Sequence, residues 1–208
     1  MPVYKQLPQS KNKPLPFYRP IDRLMIWALE NQKALIPFLV AAVAVLAIFA
    51  GMKGYSGHYE AKAAEMSDRG DIEKVVKEYS RSEAARLARA RLAKRALEAK
   101  DYDKAIQWYA PLAEDHAASA ILRIGAIQNI ALAYLKKGDG PKAVELLEKV
   151  SRERENSTAD WSQLLLARAY EVNGQKDQAR DIYKNLSEGA VETGIRDEAK
   201  ERLAWILK

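Results

Sequence analysis

The chain contains no cysteine and only two histidines in 208 residues. Without thiols there are no disulfides, no thiol nucleophiles and no thiolate metal sites, which also suits an oxidising compartment. No HExxH, phosphate-binding glycine loop, GxSxG or His/carboxylate metal spacing occurs either. His58 and His116 read as polar surface residues, and Gly138-Asp139-Gly140 reads as a turn between helices. The sequence therefore predicts no catalytic residue, no metal and no cofactor, and a protein that is not an enzyme. A strong excess of one charge is missing from most of the chain as well. Of the formal +6, the first 33 residues hold +4, which leaves 28 basic and 26 acidic residues over the remainder. Such a distribution argues for an anionic lipid surface near the N-terminus and against nucleic acid.

Long apolar runs are lacking everywhere but in one place. From Ala34 to Met52 the sequence ALIPFLVAAVAVLAIFAGM carries no charge between Lys33 and Lys53. As a helix it covers about 28 Å, close to the hydrocarbon thickness of a bilayer. We read a single transmembrane helix over 34–54. Pro37 is expected in its first turn, where a missing N–H costs little. Lys5, Lys11, Lys13, Arg19, Arg23 and Lys33 precede the span, against Asp22 and Glu30. Beyond it, Lys53, Lys62 and Arg69 are outnumbered by Glu60, Glu65, Asp68 and Asp71. Basic flanks stay in the cytoplasm, so the N-terminus is expected there and the C-terminal domain outside, in the periplasm of a Gram-negative cell. A cleaved signal peptide is the rival reading. Against it, the basic head and the apolar core are both too long, and Val45-Leu46-Ala47 falls inside the core.

Proline is concentrated where no fold is expected. Pro2, Pro8, Pro14, Pro16 and Pro20 lie in the first twenty residues, a Pro-rich, disordered, cytoplasmic head over 1–20. Over 21–33, Ile21, Leu24, Trp27 and Ala28 fall at helical spacing, as in an interfacial amphipathic helix with Trp27 at headgroup depth. Within the span, Ala47 with Gly51 and Ala50 with Gly54 are small-xxx-small pairs, candidates for packing against another membrane helix.

From Tyr55 onward strand-like alternation is absent, and apolar residues recur every three or four positions. Breaks at Gly70, Lys100-Asp101, Gly138-Asp139-Gly140 and Gly174 give a period of about 35 residues. Aligning small residues places Ala105, Ala143 and Ala179 in register, at spacings of 38 and 36. Four residues later stand Tyr109, Leu147 and Tyr183, then Leu112, Val150 and Leu186. Leu92 and Ala93, Ile130 and Ala131, and Leu166 and Ala167 match in the preceding helices. An earlier pair, Tyr59–Arg69 and Ile72–Tyr79, fits less well, with Val75 where Ala is expected. Ile195, Ala199, Leu203, Ile206 and Leu207 form the inward face of a C-terminal capping helix. The pattern resembles that of tetratricopeptide repeats. The fold expected is all-α: one transmembrane helix, then a tetratricopeptide-like α-solenoid of about three to four degenerate helical-hairpin repeats over 55–208, closed by the cap.

Repeats of this kind bind other proteins, along a concave surface lined by first helices. In this register the candidate contacts are Leu87, Lys94, Gln128, Leu132, Trp161, Leu164 and Arg168. Trp161 is the leading one, as an aromatic anchor or as packing against its neighbouring repeat. The basic run Arg81, Arg86, Arg89, Arg91, Lys94 and Arg95 is able to attract an acidic partner or lipid headgroups, but it interleaves with Leu87, Ala88, Leu92 and Ala96 and reads first as a solvated helix face.

Glu30-Asn31-Gln32-Lys33-Ala34-Leu35 resembles the ENGK-type segment before the span of the YfgM family, with Gln32 in place of Gly. LARARLAKRALEAKDYDKAI over Leu87–Ile106 and LLLARAYEVNGQKDQARDIY over Leu164–Tyr183 are similar to that family's repeats. The resemblance implies a bacterial inner-membrane protein, single-pass, ancillary to the SecYEG translocon. The partners it implies are translocon subunits, a periplasmic chaperone such as PpiD, and exported polypeptides. The Pro-rich head departs from the family pattern. The functional expectation is thus a membrane-tethered, protein-binding adaptor or chaperone; the alternative is a scaffold for outer-membrane or cell-wall assembly.

Overall fold

The computed structural model of the chain describes residues 27–153 and 156–207. The Pro-rich head and all of the expected interfacial helix before Trp27 lie outside the described residues. The chain divides into two compact units, one ending at Ser56 and one beginning at Gly57.

In the first unit, residues 27–30 make a helical turn that gives way at Asn31, whose side-chain amide donates to the Trp27 carbonyl at 2.8 Å. Helix α1 then runs Gln32–Asp68, with no break where the apolar run ends. Pro37 sits two residues deeper than expected, because the helix begins at Gln32 rather than Ala34; its missing N–H leaves the Lys33 carbonyl without its i+4 donor. From Ile36 to Met52 the large apolar side chains are exposed, Phe38 at 78%. One helix, near the N-terminus, is thus long and apolar enough to cross a membrane.

The second unit has helices and connecting turns, and no strand among its described residues. After the end of α1 come α2 (Ile72–Glu78), α3 (Glu83–Glu98), α4 (Tyr102–Ala113), α5 (Ala120–Lys136), α6 (Gly140–Ser151), α7 (Ala159–Val172), α8 (Lys176–Gly189) and α9 (Thr193–Ile206). Local chemistry sets the starts. Ser82, Asp101, Ser119 and Asp139 each accept a hydrogen bond from the backbone N–H three residues on, a cap worth about 1 kcal/mol. The ends are set by one recurring turn. Gly70, Lys100, Gly138 and Gly174 all have positive φ, and the N–H of the next residue reaches back to Met66, Ala96, Tyr134 and Tyr170 respectively. Three of the four are glycine, which holds this conformation without strain; Lys100, at φ 60°, does so at a cost of about 1 kcal/mol.

Between α2 and α9 each helix packs on the next along the chain. The six alanines aligned in the sequence, Ala93, Ala131, Ala167, Ala105, Ala143 and Ala179, are all fully buried. Around them Tyr109, Leu112, Leu147, Val150, Tyr183 and Leu186 fill the space between helices. Gly140 marks the closest approach. A Cβ there would lie 3.0 Å from the Asn173 nitrogen and 3.2 Å from the Ala169 carbonyl, so only glycine lets α6 begin against the end of α7. Val75 is fully buried with Ala63, Ala85 and Ala88, so a larger residue is accommodated where alanine was expected. Leu207 is a correction. It is 66% exposed, because α9 ends at Ile206 and the last residue of the expected stripe falls on its cap.

A second periodic device joins successive hairpins. The first turn or so of α3, α5 and α7 each carries a side chain that grips the connector before the next helix of the same kind. Arg86 donates to Asp115 at 2.7 Å and Arg123 to Glu153 at 2.6 Å, while the Asp160 carboxylate accepts from the Val191 N–H at 2.9 Å. Near the end of α1, Glu60 does the same for the Glu83 N–H at 3.0 Å.

Candidate functional site

The helices α3, α5, α7 and α9 alternate with α4, α6 and α8, but they are not evenly spaced. Helix α5 packs directly against α7, and α7 against α9. Helices α3 and α5 are joined chiefly through α4, and a groove of about 500 Å³ opens between them. Its floor is made of small residues, Ala90 from α3 and Gly125 and Ala126 from α5, over the buried ring of Tyr109. Its apolar lips are Leu87, 47% exposed, and Ile121, 69% exposed. A second groove of about 490 Å³ lies on the other side of α3, where Ala61 and Ala64 near the end of α1 face Ala84. Leu87 and Arg91 belong to both, so α3 is the ridge between two troughs.

Sequence chemistry explains this placement. The Ser82 cap starts α3 so that Glu83, Leu87, Arg91 and Lys94 follow one another along one face. The Ser119 cap does the same for α5, leaving Ile121 and Leu122 in the first turn at the groove's mouth. The charges divide unequally. Glu83 is held by Arg86 at 3.0 Å, and Arg86 is in turn held by Asp115, whose carboxyl titrates below the ordinary range chiefly because of that hydrogen bond. Lys94 meets Glu98 only at 3.8 Å, with both side chains largely in solvent. Arg91 has no ion pair among the described residues. The α5 wall of the groove carries no charged side chain at all. Uncommitted charge at this site is therefore positive and lies on α3.

The seven candidate contacts fare differently. Leu87 and Lys94 both line the α3–α5 groove. Gln128 and Leu164 do not belong to any surface and are corrections: Gln128 is 5% exposed and Leu164 0%. Both occupy the helix position that Ala90 holds in α3, and in α5 and α7 the following helix closes over it. Gln128 donates to Ser162 Oγ at 2.7 Å and Thr158 Oγ1 at 2.8 Å. Asn156 adds a bond to the same Ser162 Oγ at 2.8 Å and another to the Val150 carbonyl at 2.9 Å. This buried network joins α5 to α7. Leu132 is half-buried against the C-terminal core. Trp161 packs on that core too, beside Val191 and Ile195, with the Arg168 guanidinium 5.9 Å from its ring centre. Arg168 itself pairs with Glu198 of α9. These two are thus engaged within the chain, and the packing reading of Trp161 is the one the geometry favours. In the first unit, Ala47, Ala50, Gly51 and Gly54 are exposed, and nothing lies within 4 Å of a Cβ built on either glycine.

Arg91, Ile121 and Gly125 were not among the expected contacts. Ile121 could have been noticed. It stands two residues after the Ser119 cap, and α5 carries more apolar residues than a single buried stripe requires.

No family model matches the chain, and no curated protein matches it.

Proposed function

We propose that the protein is a non-enzymatic, membrane-tethered binding module: a single-pass anchor, N-terminus in the cytoplasm, carrying a tetratricopeptide-like solenoid on the far side of a bacterial inner membrane. The solenoid reading is supported by the four equivalent turns at Gly70, Lys100, Gly138 and Gly174 and by the four equivalent connector clamps. The anchor reading is supported by the exposed apolar surface of α1 and by the charge asymmetry around it. The observation that carries the functional reading is the open groove between α3 and α5. Its apolar lips, Leu87 and Ile121, stay exposed, and exposed apolar surface beside small floor residues suits a partner segment.

Tethering gives such a groove its use. Confinement near the membrane raises its effective concentration around any exit site for exported chains. With the resemblance to the YfgM family, this makes an adaptor or chaperone beside the Sec translocon our first reading. The test is photocrosslinking in native membranes with probes at Ile121 and Ala47. Capture of translocon subunits by the Ala47 probe, with a chaperone or exported chains at Ile121, is the expected result. Capture of cell-wall or outer-membrane assembly proteins at both would overturn it in favour of an envelope scaffold.

A further inference from the structure

We infer that the α3–α5 groove takes a short amphipathic helix whose apolar face carries acidic residues along one edge, toward one end. This rests on the binding-module reading and names the chemistry of its partner.

Three observations set the occupant. The floor of Ala90, Gly125 and Ala126 is made of small residues, which allows either a partner backbone or its large side chains to come close. Apolar lips at Leu87 and Ile121 flank that floor, so the partner must offer an apolar stripe and not a single anchor. From Leu87 to Lys94 the wall is two helical turns long, about 10 Å, the length that residues at i, i+3/i+4 and i+7 of one helix would cover.

Charge then selects among amphipathic helices. Arg91 and Lys94 stand one turn apart on the α3 wall, Arg91 unpaired among the described residues and Lys94 only loosely paired. The α5 wall is uncharged, and the one carboxylate at the rim, Glu83, is taken by Arg86 at the opposite end of the groove. A partner with carboxylates on the edge facing α3, near the Lys94 end, would neutralise both cations. One with lysines there would add repulsion.

The test uses the full-length chain in zwitterionic phosphatidylcholine nanodiscs, with empty nanodiscs as the control. The probe is a fluorescein-labelled designed helix of about fourteen residues, with leucine and alanine on one face and glutamates along one edge. Saturable binding is expected. The double variant Arg91→Glu with Lys94→Glu should weaken it roughly tenfold and should restore binding of a lysine-edged version of the peptide. Ile121→Asp should abolish binding of both peptides. Because all three positions are exposed or half-exposed, unchanged helicity and melting should accompany each variant. An affinity that ignores the charge reversal, or a lysine-edged peptide that gains nothing from it, would overturn the assignment. Crosslinking at Ile121 separates the two levels. Native partners that still crosslink in the charge-reversed chain leave the binding module standing and remove only the acidic-edge specificity; a wild-type chain that captures neither the peptide nor any native partner at Ile121 would remove both.

Discussion

The two halves of the helical unit pack their alternate helices in different ways. Toward the C-terminus, α5, α7 and α9 close directly on one another, and the position that is Ala90 in α3 becomes a buried Gln128 and then a buried Leu164. Toward the N-terminus, α3 stands apart from α5, and small residues form the floor of an open trough. Filling that helix position goes with a closed core, while a small residue there goes with an open groove. Close packing and open surface are thus found at different hairpins, not shared evenly among them.

The largest test of that division compares two leucines. Leu164→Ala should destabilise the protein by about 3 kcal/mol, through lost burial and the cavity left behind. Leu87→Ala should change stability by less than about 0.5 kcal/mol while reducing partner capture. Chemical denaturation followed by circular dichroism reads the first difference, and crosslinking the second. Equal destabilisation by the two would break the comparison.

Next comes the network that closes the C-terminal half. Gln128→Ala leaves Ser162 and Thr158 short of a buried donor and should cost about 2 kcal/mol. Hydrogen exchange should rise first in 156–162, where the hinge between α5 and α7 loosens.

A smaller effect, of opposite sign, is expected at Lys100. Lys100→Gly removes the strain of a positive φ and should stabilise by about 1 kcal/mol, whereas Gly138→Ala should lose a similar amount at the equivalent turn. The smallest effect belongs to the clamp beneath the open groove. Asp115→Asn should cost about 0.5 kcal/mol at neutral pH. Because the folded-state pKa of Asp115 is lowered below 3.8, its contribution is complete above that value. It disappears as the pH falls through the depressed pKa, so wild type and variant should converge in acid.

Much of the fold could be read from the sequence because its determinants are local. The buried alanines at 93, 131 and 167 and at 105, 143 and 179 repeat at helical spacing, and each turn carries its own glycine or aspartate. What could not be read was how far apart successive hairpins stand. That distance decides whether a first-helix side chain faces a partner or the next helix, and it is set by contacts thirty or so residues away, such as Gln128 with Ser162. Hence Leu87 and Lys94 lie on the groove while Gln128 and Leu164, drawn from the same register, are interior. Arg91 could be read only as one of six cations in a run, since the bonds of Arg86 and the looseness of Lys94 are what reveal which charges remain uncommitted.

The connector clamps have one more consequence, for how quickly the domain assembles. Each spans only 23 to 31 residues of sequence. With turns closing every hairpin and no contact required from the distant end, the loops that must shut during folding are short and their entropic cost is low. Each hairpin can therefore settle onto its predecessor as soon as about forty residues of chain are free, and the domain can grow in order from its N-terminal end while the rest is still being made.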